Sequence, residues 1–260
     1  MSGYFYDVIT IFNREKKHFL KNKASVFMGV TQPFLWFLLL GYGMNGFIGK
    51  MGNTQSLMNT KDYITFIMPG IMAMTAMTGG LFGGAGIVND ISKGYVNKLL
   101  SAPIYGKSVV SGKILFSIVQ TILQILIIFV LSLIFGVRYK FSVETLGVFV
   151  LLFLFSGLMS AIGMIVAIKF KTHQAVYAFL GTLNVPILFT SNAFFPRETM
   201  PVVMKGISWI NPLSYVVDGQ RELLLNINGD LILDFAVLFV EALIIYILSV
   251  SAFVKEYNRQ

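Results

Sequence analysis

Two places in this chain carry residues of a type and spacing associated with chemistry. The first is Gly106-Lys107-Ser108, the closing letters of a phosphate-binding loop. Such a loop needs Gly-x-x-x-x-Gly-Lys-Ser/Thr after a strand, because backbone N–H groups close around phosphate while the lysine reaches the outer oxygens. Ser101 stands where the first glycine belongs, no strand-like run precedes it, and no acid is identifiable as a magnesium partner. The second place is Glu241, between Val240 and Ala242 in the middle of an apolar run. A carboxyl group there is costly in lipid and faces a bundle interior or a wet cavity. It serves either as a substrate-path or proton-linked group, or as a structural hydrogen-bond partner of a neighbouring helix.

Other reactive chemistry has little to rest on. The absence of cysteine excludes disulfides, zinc-thiolate sites and iron-sulfur clusters. The two histidines, His18 and His173, lie in polar connections, and His-Glu-x-x-His, Gly-x-Ser-x-Gly and paired intramembrane aspartates are missing from the sequence. The chain therefore reads as non-catalytic, with no metal site.

The elements that position these residues follow from composition. Of 260 residues 56% are hydrophobic and 12% charged, whereas a soluble domain carries about 25% charged residues. Runs of ~20 apolar residues are what an ~30 Å hydrocarbon core demands of a helix that satisfies its own backbone. Six runs fit, at 24–48, 63–88, 114–135, 145–168, 175–195 and 231–254. They predict an all-α polytopic membrane protein, one permease domain over 1–260. No cleavable signal peptide is expected, because the first apolar run is of span length.

Charge sets the expected orientation. With six spans, the N-terminal arm, the 89–113 connection, the fourth connection and the tail share one side, and that side holds 13 of the 20 lysines and arginines. The positive-inside rule places it, with both termini, in the cytoplasm.

The connections carry further structure. In 1–23, Phe5, Val8, Ile9, Phe12 and Phe19 share a helical face and Arg14, Lys17 and Lys21 lie elsewhere, the pattern of an amphipathic interface helix. It anchors the first span or contacts a soluble partner. The second span holds Gly79, Gly80, Gly83, Gly84 and Gly86, spaced for close helix approach. Its methionines, Met72 and Met74 among them, suit either core filling or the wall of an apolar pathway. In 89–113, Tyr95, Val96, Leu99 and Leu100 form a short apolar stripe beside Lys98, and Pro103 with Gly106 ends it in a turn. In 196–230 two apolar pieces are each too short to cross, so a re-entrant hairpin is expected. Asn211-Pro212 is a capped helix start, and Asp218 is placed to pair with Arg221 at i,i+3.

The order of these parts resembles the permeases of type-2 ABC exporters. YITFIMPGIMAM at 63–74, ISKGYVNKLLSAPIYGKSVVSGK at 91–113 and WINPLSYVVDGQRELL at 209–224 look like the span-two start, cytoplasmic connection and Asn-Pro-Leu-Ser-Tyr signature of the daunorubicin-resistance type. The chain departs from that pattern at Ile91-Ser92-Lys93-Gly94, which is basic where a glutamate is common. The resemblance implies a permease that joins a second copy or a sister permease and two separate ATPase subunits. Those subunits would bind ATP and magnesium, and this chain would hold no cofactor. Residues 92–104 would be the coupling helix, with Tyr95, Lys98, Leu99, Leu100 and Pro103 on the ATPase. A pathway between copies would involve Met72, Met74, Phe189, Asn192 and Glu241. The implied cargo is amphipathic or hydrophobic, drug-like or lipid-like. A lipid-linked polysaccharide exporter is the alternative on the same architecture, and an ion-coupled secondary transporter, for which Glu241 speaks, is the alternative from another class.

Overall fold

Asp62 stands just ahead of an apolar run, and its carboxylate caps the helix that follows by accepting the Thr65 N–H at 2.7 Å. That helix, α3 (Tyr63–Ala85), is the most enclosed part of the computed structural model. The structure describes residues 3–44, 60, 62–101, 104–139, 145–227 and 229–257, and all regular structure among them is helical. Before α3 come α1 (Tyr4–Lys21) and α2 (Lys23–Trp36), the latter widening into a π-helical turn over Phe37–Tyr42. After it come α4 (Val88–Ser92), α5 (Tyr95–Leu100), α6 (Gly106–Ile134) and α7 (Thr145–Phe170). The chain continues with α8 (His173–Phe189), α9 (Val202–Ser208), α10 (Pro212–Leu225) and α11 (Leu231–Tyr257).

Four helical stretches, Tyr63–Ser92, Gly106–Ile134, Thr145–Phe170 and Leu231–Tyr257, are long and apolar enough to cross a membrane, and Phe27–Gly41 is a shorter apolar helix. The chain is thus an all-helical, multi-pass membrane protein. The other two expected spans are shorter. The 24–48 run is helical through α2 and its π turn, and residues 45–48 lie outside the described residues. The 175–195 run is helical only to Phe189, because Asn211 stops it: its side-chain amide donates to the Ile187 carbonyl at 2.6 Å and to Thr190 Oγ1 at 3.1 Å. Those bonds satisfy groups that a helix end leaves open.

The glycines of α3 explain how it sits at the centre. A Cβ on Gly80 or Gly84 would meet the Ser156 or Ser160 carbonyl of α7 at 2.6 and 1.9 Å, and one on Gly79 or Gly83 would meet Thr121 or Ser117 of α6. Two glycine pairs on two sides therefore let α6 and α7 approach the same helix, which is how helices associate where no hydrophobic drive operates. Met72 and Met74 on α3 are buried in the resulting core.

Helix α1 packs across the start of α6 through Val8 and Ile11, with Gly112 admitting Ile11. Phe5 and Ile9 stay exposed, so only part of the arm's apolar face is used in packing. The buried stripe turns toward Ile11 because α6 crosses there. Helix α11 buries Leu238, Ser249 and Phe253 and leaves a broad apolar face outward.

Candidate functional site

Helix α5 begins at Gly94, whose φ of 64° is a backbone conformation open to glycine at little cost. Its Val96 is buried and Leu99 half-buried against the core, while Tyr95 and Lys98 are exposed. Pro103 and the side chain of Leu100 lie outside the described residues. The stripe seen in the sequence therefore faces two ways: Val96 and part of Leu99 inward, and Tyr95 outward beside Lys98.

A four-charge cluster holds this short helix to the bundle. Arg14 of α1 donates to Asp90 of α4 at 2.5 Å, and Lys113 of α6 lies 2.7 Å from Asp90 and 2.8 Å from Glu15. Arg14 also lies 3.0 Å from Glu15 and sits 4.6 Å above the Tyr95 ring. Burial alone would lower the Arg14 guanidinium, but Asp90 and then Glu15 hold it above its ordinary range. Two cations face two anions, so the cluster is neutral as a group, the condition under which buried charge is tolerated. It ties α1, α4, α5 and α6 at one point. The Asp7 carboxylate adds a bond from the Tyr105 N–H at 3.3 Å, and Ser92 meets His173 Nε2 at 3.0 Å, reaching α8. Helix α5 is therefore linked to α1, α4 and α6 through the cluster, and through α4 to α8.

Sequence reading missed this cluster. Its signals were a lysine at the head of an apolar helix and Asp90, the one acid of the 89–113 connection.

A second polar cluster builds the hairpin at the other end of α3. Asn211 caps α10 by accepting the Leu213 N–H at 3.0 Å, with Pro212 in the first turn, as its sequence predicts. Asp218 pairs with Arg197 at 2.8 Å and accepts from Asn192. The expected Asp218–Arg221 pair is replaced by that one. Arg221 turns to the other side of α10, where it donates to the Ala193 carbonyl at 3.2 Å and lies 3.8 Å over the Phe66 ring. Arg197 in turn sits 4.1 Å over Trp209. Gly70 admits the Ala193 carbonyl to within 2.2 Å of its built Cβ, which locks the loop to α3.

Of the residues proposed for a pathway, Asn192 is buried in this hairpin cluster and Phe189 is half exposed beside Phe194. Met72 and Met74 are inside the protomer. Glu241 is half-buried on α11, with Oε2 enclosed and making no hydrogen bond to a described residue.

An apolar bundle with four helices of membrane-crossing length is the build of a membrane-embedded subunit. The chain belongs to the ABC-2 type transporter family, whose model matches residues 6–225. It is 27% identical over 221 residues to the transport permease ycf38 of Cyanophora paradoxa, covering 84% of this chain and 74% of that one. It is 24% identical over 214 residues to the daunorubicin resistance ABC transporter permease protein DrrB1 of Streptomyces coeruleorubidus, covering 82% and 72%. With the inner membrane transport permease YadH of Escherichia coli K12 it shares 25% identity over 225 residues, covering 82% and 81%. The chain is a transmembrane permease subunit of an ABC transporter, a non-catalytic part that works with an ABC ATPase.

Proposed function

We propose that this permease exports an amphipathic or hydrophobic molecule, drug-like or lipid-like, on ATP hydrolysis by a separate subunit. The α5 end faces the cytoplasm with both termini, the chain crosses six times, and two copies enclose the pathway. Residues 92–104 are the coupling helix, with Tyr95, Lys98, Leu99, Leu100 and Pro103 toward the ATPase, which holds the ATP and magnesium.

The observation that supports this reading best is the bracing of α5. An exposed Tyr95 is held by Arg14, and Arg14 is held by Asp90, within a cluster that reaches four helices. A surface helix with no mechanical task has no need of a buried ionic joint behind it. Closure of the ATPase dimer would move α5, and coupling follows if the ATPase binds the two permease states with different affinity.

The test is Leu99→Asp in the assembled complex. ATP-driven export should fall to background while the protein still assembles in the membrane. Undiminished export by a normally assembled Leu99→Asp complex would remove α5 from the coupling path.

A further inference from the structure

A cavity of about 390 Å³ opens between α1, α2, α3, α6 and α8, beside the charge cluster. Helix α6 lays a polar stripe along it: Lys113 at the mouth, then Gln120 and Gln124, seven and eleven positions on and so on one helical face. At 1.5 Å per residue the stripe runs about 16 Å into the bundle. Gln32 faces it from α2 and Thr78 from α3.

Gln124 is 8% exposed, and among the described residues none bonds the side chains of Gln124, Gln120 or Gln32. Gly29 leaves room for the Gln124 amide, since a Cβ there would stand 2.1 Å from Nε2. Polar groups inside a membrane-crossing helix face the bundle interior or a water-filled cavity, and three amides around one cavity, unbonded among the described residues, offer donors and acceptors together. Apolar walls come from Phe116 and from Tyr177 stacked on Phe82 at 5.9 Å. Glu15 and Lys113 cancel within their own cluster and His18 is the one other titratable base among the described lining residues, so a charged guest deeper in would meet no fixed counter-ion.

We propose that this cavity takes the uncharged, hydroxyl-bearing headgroup of an amphipathic substrate from the membrane leaflet at the α5 end. The amides of Gln32, Gln120 and Gln124 hydrogen-bond the hydroxyls, the rings cover its C–H faces, and the apolar tail stays in lipid. The volume is in the range of small-molecule sites. The identity of the guest as cargo rests on the export reading, while the cavity and its headgroup preference do not.

The natural absence of cysteine supplies the test. Gln32→Cys, Gln120→Cys and Gln124→Cys are made singly in the full chain in lipid nanodiscs and timed for reaction with a charged, membrane-impermeant maleimide. Leu126→Cys, on the exposed face of α6, is the lipid-facing control. The probes are octyl glucoside, octyl sulfate and octyltrimethylammonium below their micellar concentrations. The cavity variants should react about tenfold faster than Leu126→Cys, as a wet polar site does beside lipid, and the glucoside alone should slow them severalfold. Reaction no faster than the control at all three positions would overturn the wet cavity. Equal slowing by all three amphiphiles, or by none, would overturn the headgroup assignment. Absence of ATP-driven export of any amphiphile by the assembled wild-type complex would break the export reading and leave these labelling ratios unchanged.

Discussion

The two polar clusters at opposite ends of α3 are built on different principles. At the α5 end, Arg14, Glu15, Asp90 and Lys113 come from three helices and meet only through side chains. In the hairpin, Asn211, Arg221 and Tyr63 bond backbone carbonyls of Ile187, Ala193 and Phe194, so the side chains stitch the loop's own main chain. Ion pairs between helices can re-form in another arrangement of those helices. Bonds to a specific carbonyl are lost when the loop shifts. On the proposed export reading, the α5-end cluster is the joint that moves and the hairpin is the plug that holds its shape.

The largest expected effect is at the joint. Lys113→Ala leaves Asp90 and Glu15 facing one cation, and breaking a buried pair from one side costs roughly 3–5 kcal/mol. Thermal unfolding in detergent should show the loss, and Lys113→Met combined with Glu15→Gln, which restores neutrality, should recover most of it. No recovery would mean that Lys113 packs and does not balance charge.

In the plug, Gly70→Ala drives a Cβ against the Ala193 carbonyl, and overpacking of this kind costs about 1–3 kcal/mol. The same melting measurement should show it without change in ATPase stimulation by the permease. Asp218→Asn keeps an acceptor for Asn192 but removes the Arg197 ion pair, for a loss of about 1–3 kcal/mol. Arg197→Ala should then cost less than it does alone, the remainder being its contacts with Trp209 and Ser208. Full additivity in that double-mutant cycle would separate them.

The smallest stability change is at Tyr95→Ala, where an exposed cation–π contact is worth about 0.5–1 kcal/mol. Its effect on coupling should be out of proportion: ATP hydrolysis without export. A variant that exports normally would show that Arg14 has no need of this ring to transmit motion.

How much of this was legible in the sequence depended on range. Features set by neighbours along the chain read well: the helical arm, the short α5 helix, the two hairpin helices and the Asn211-Pro212 start each came from local pattern. The glycines of α3 announced close packing, although not that Gly80 and Gly84 serve α7 while Gly79 and Gly83 serve α6. Long-range partners did not read. Asp218 offered Arg221 three residues on, but the loop brings Arg197 to it instead, and Arg14, Asp90 and Lys113 are separated by tens of residues. The end of α8 was misjudged for the same reason, because it is set by Asn211 in another part of the chain.

The central claim is that α5 is where an ATPase grips this permease. A single cysteine at Lys98, exposed and outside the charge cluster, would carry a short crosslinker in native membranes, with the captured protein identified by mass spectrometry. Capture of a P-loop ATPase subunit, with a yield that changes between ATP and ADP, is the predicted result. A well-assembled Lys98→Cys permease that captures no ATPase, with Tyr95→Cys equally silent, would contradict it.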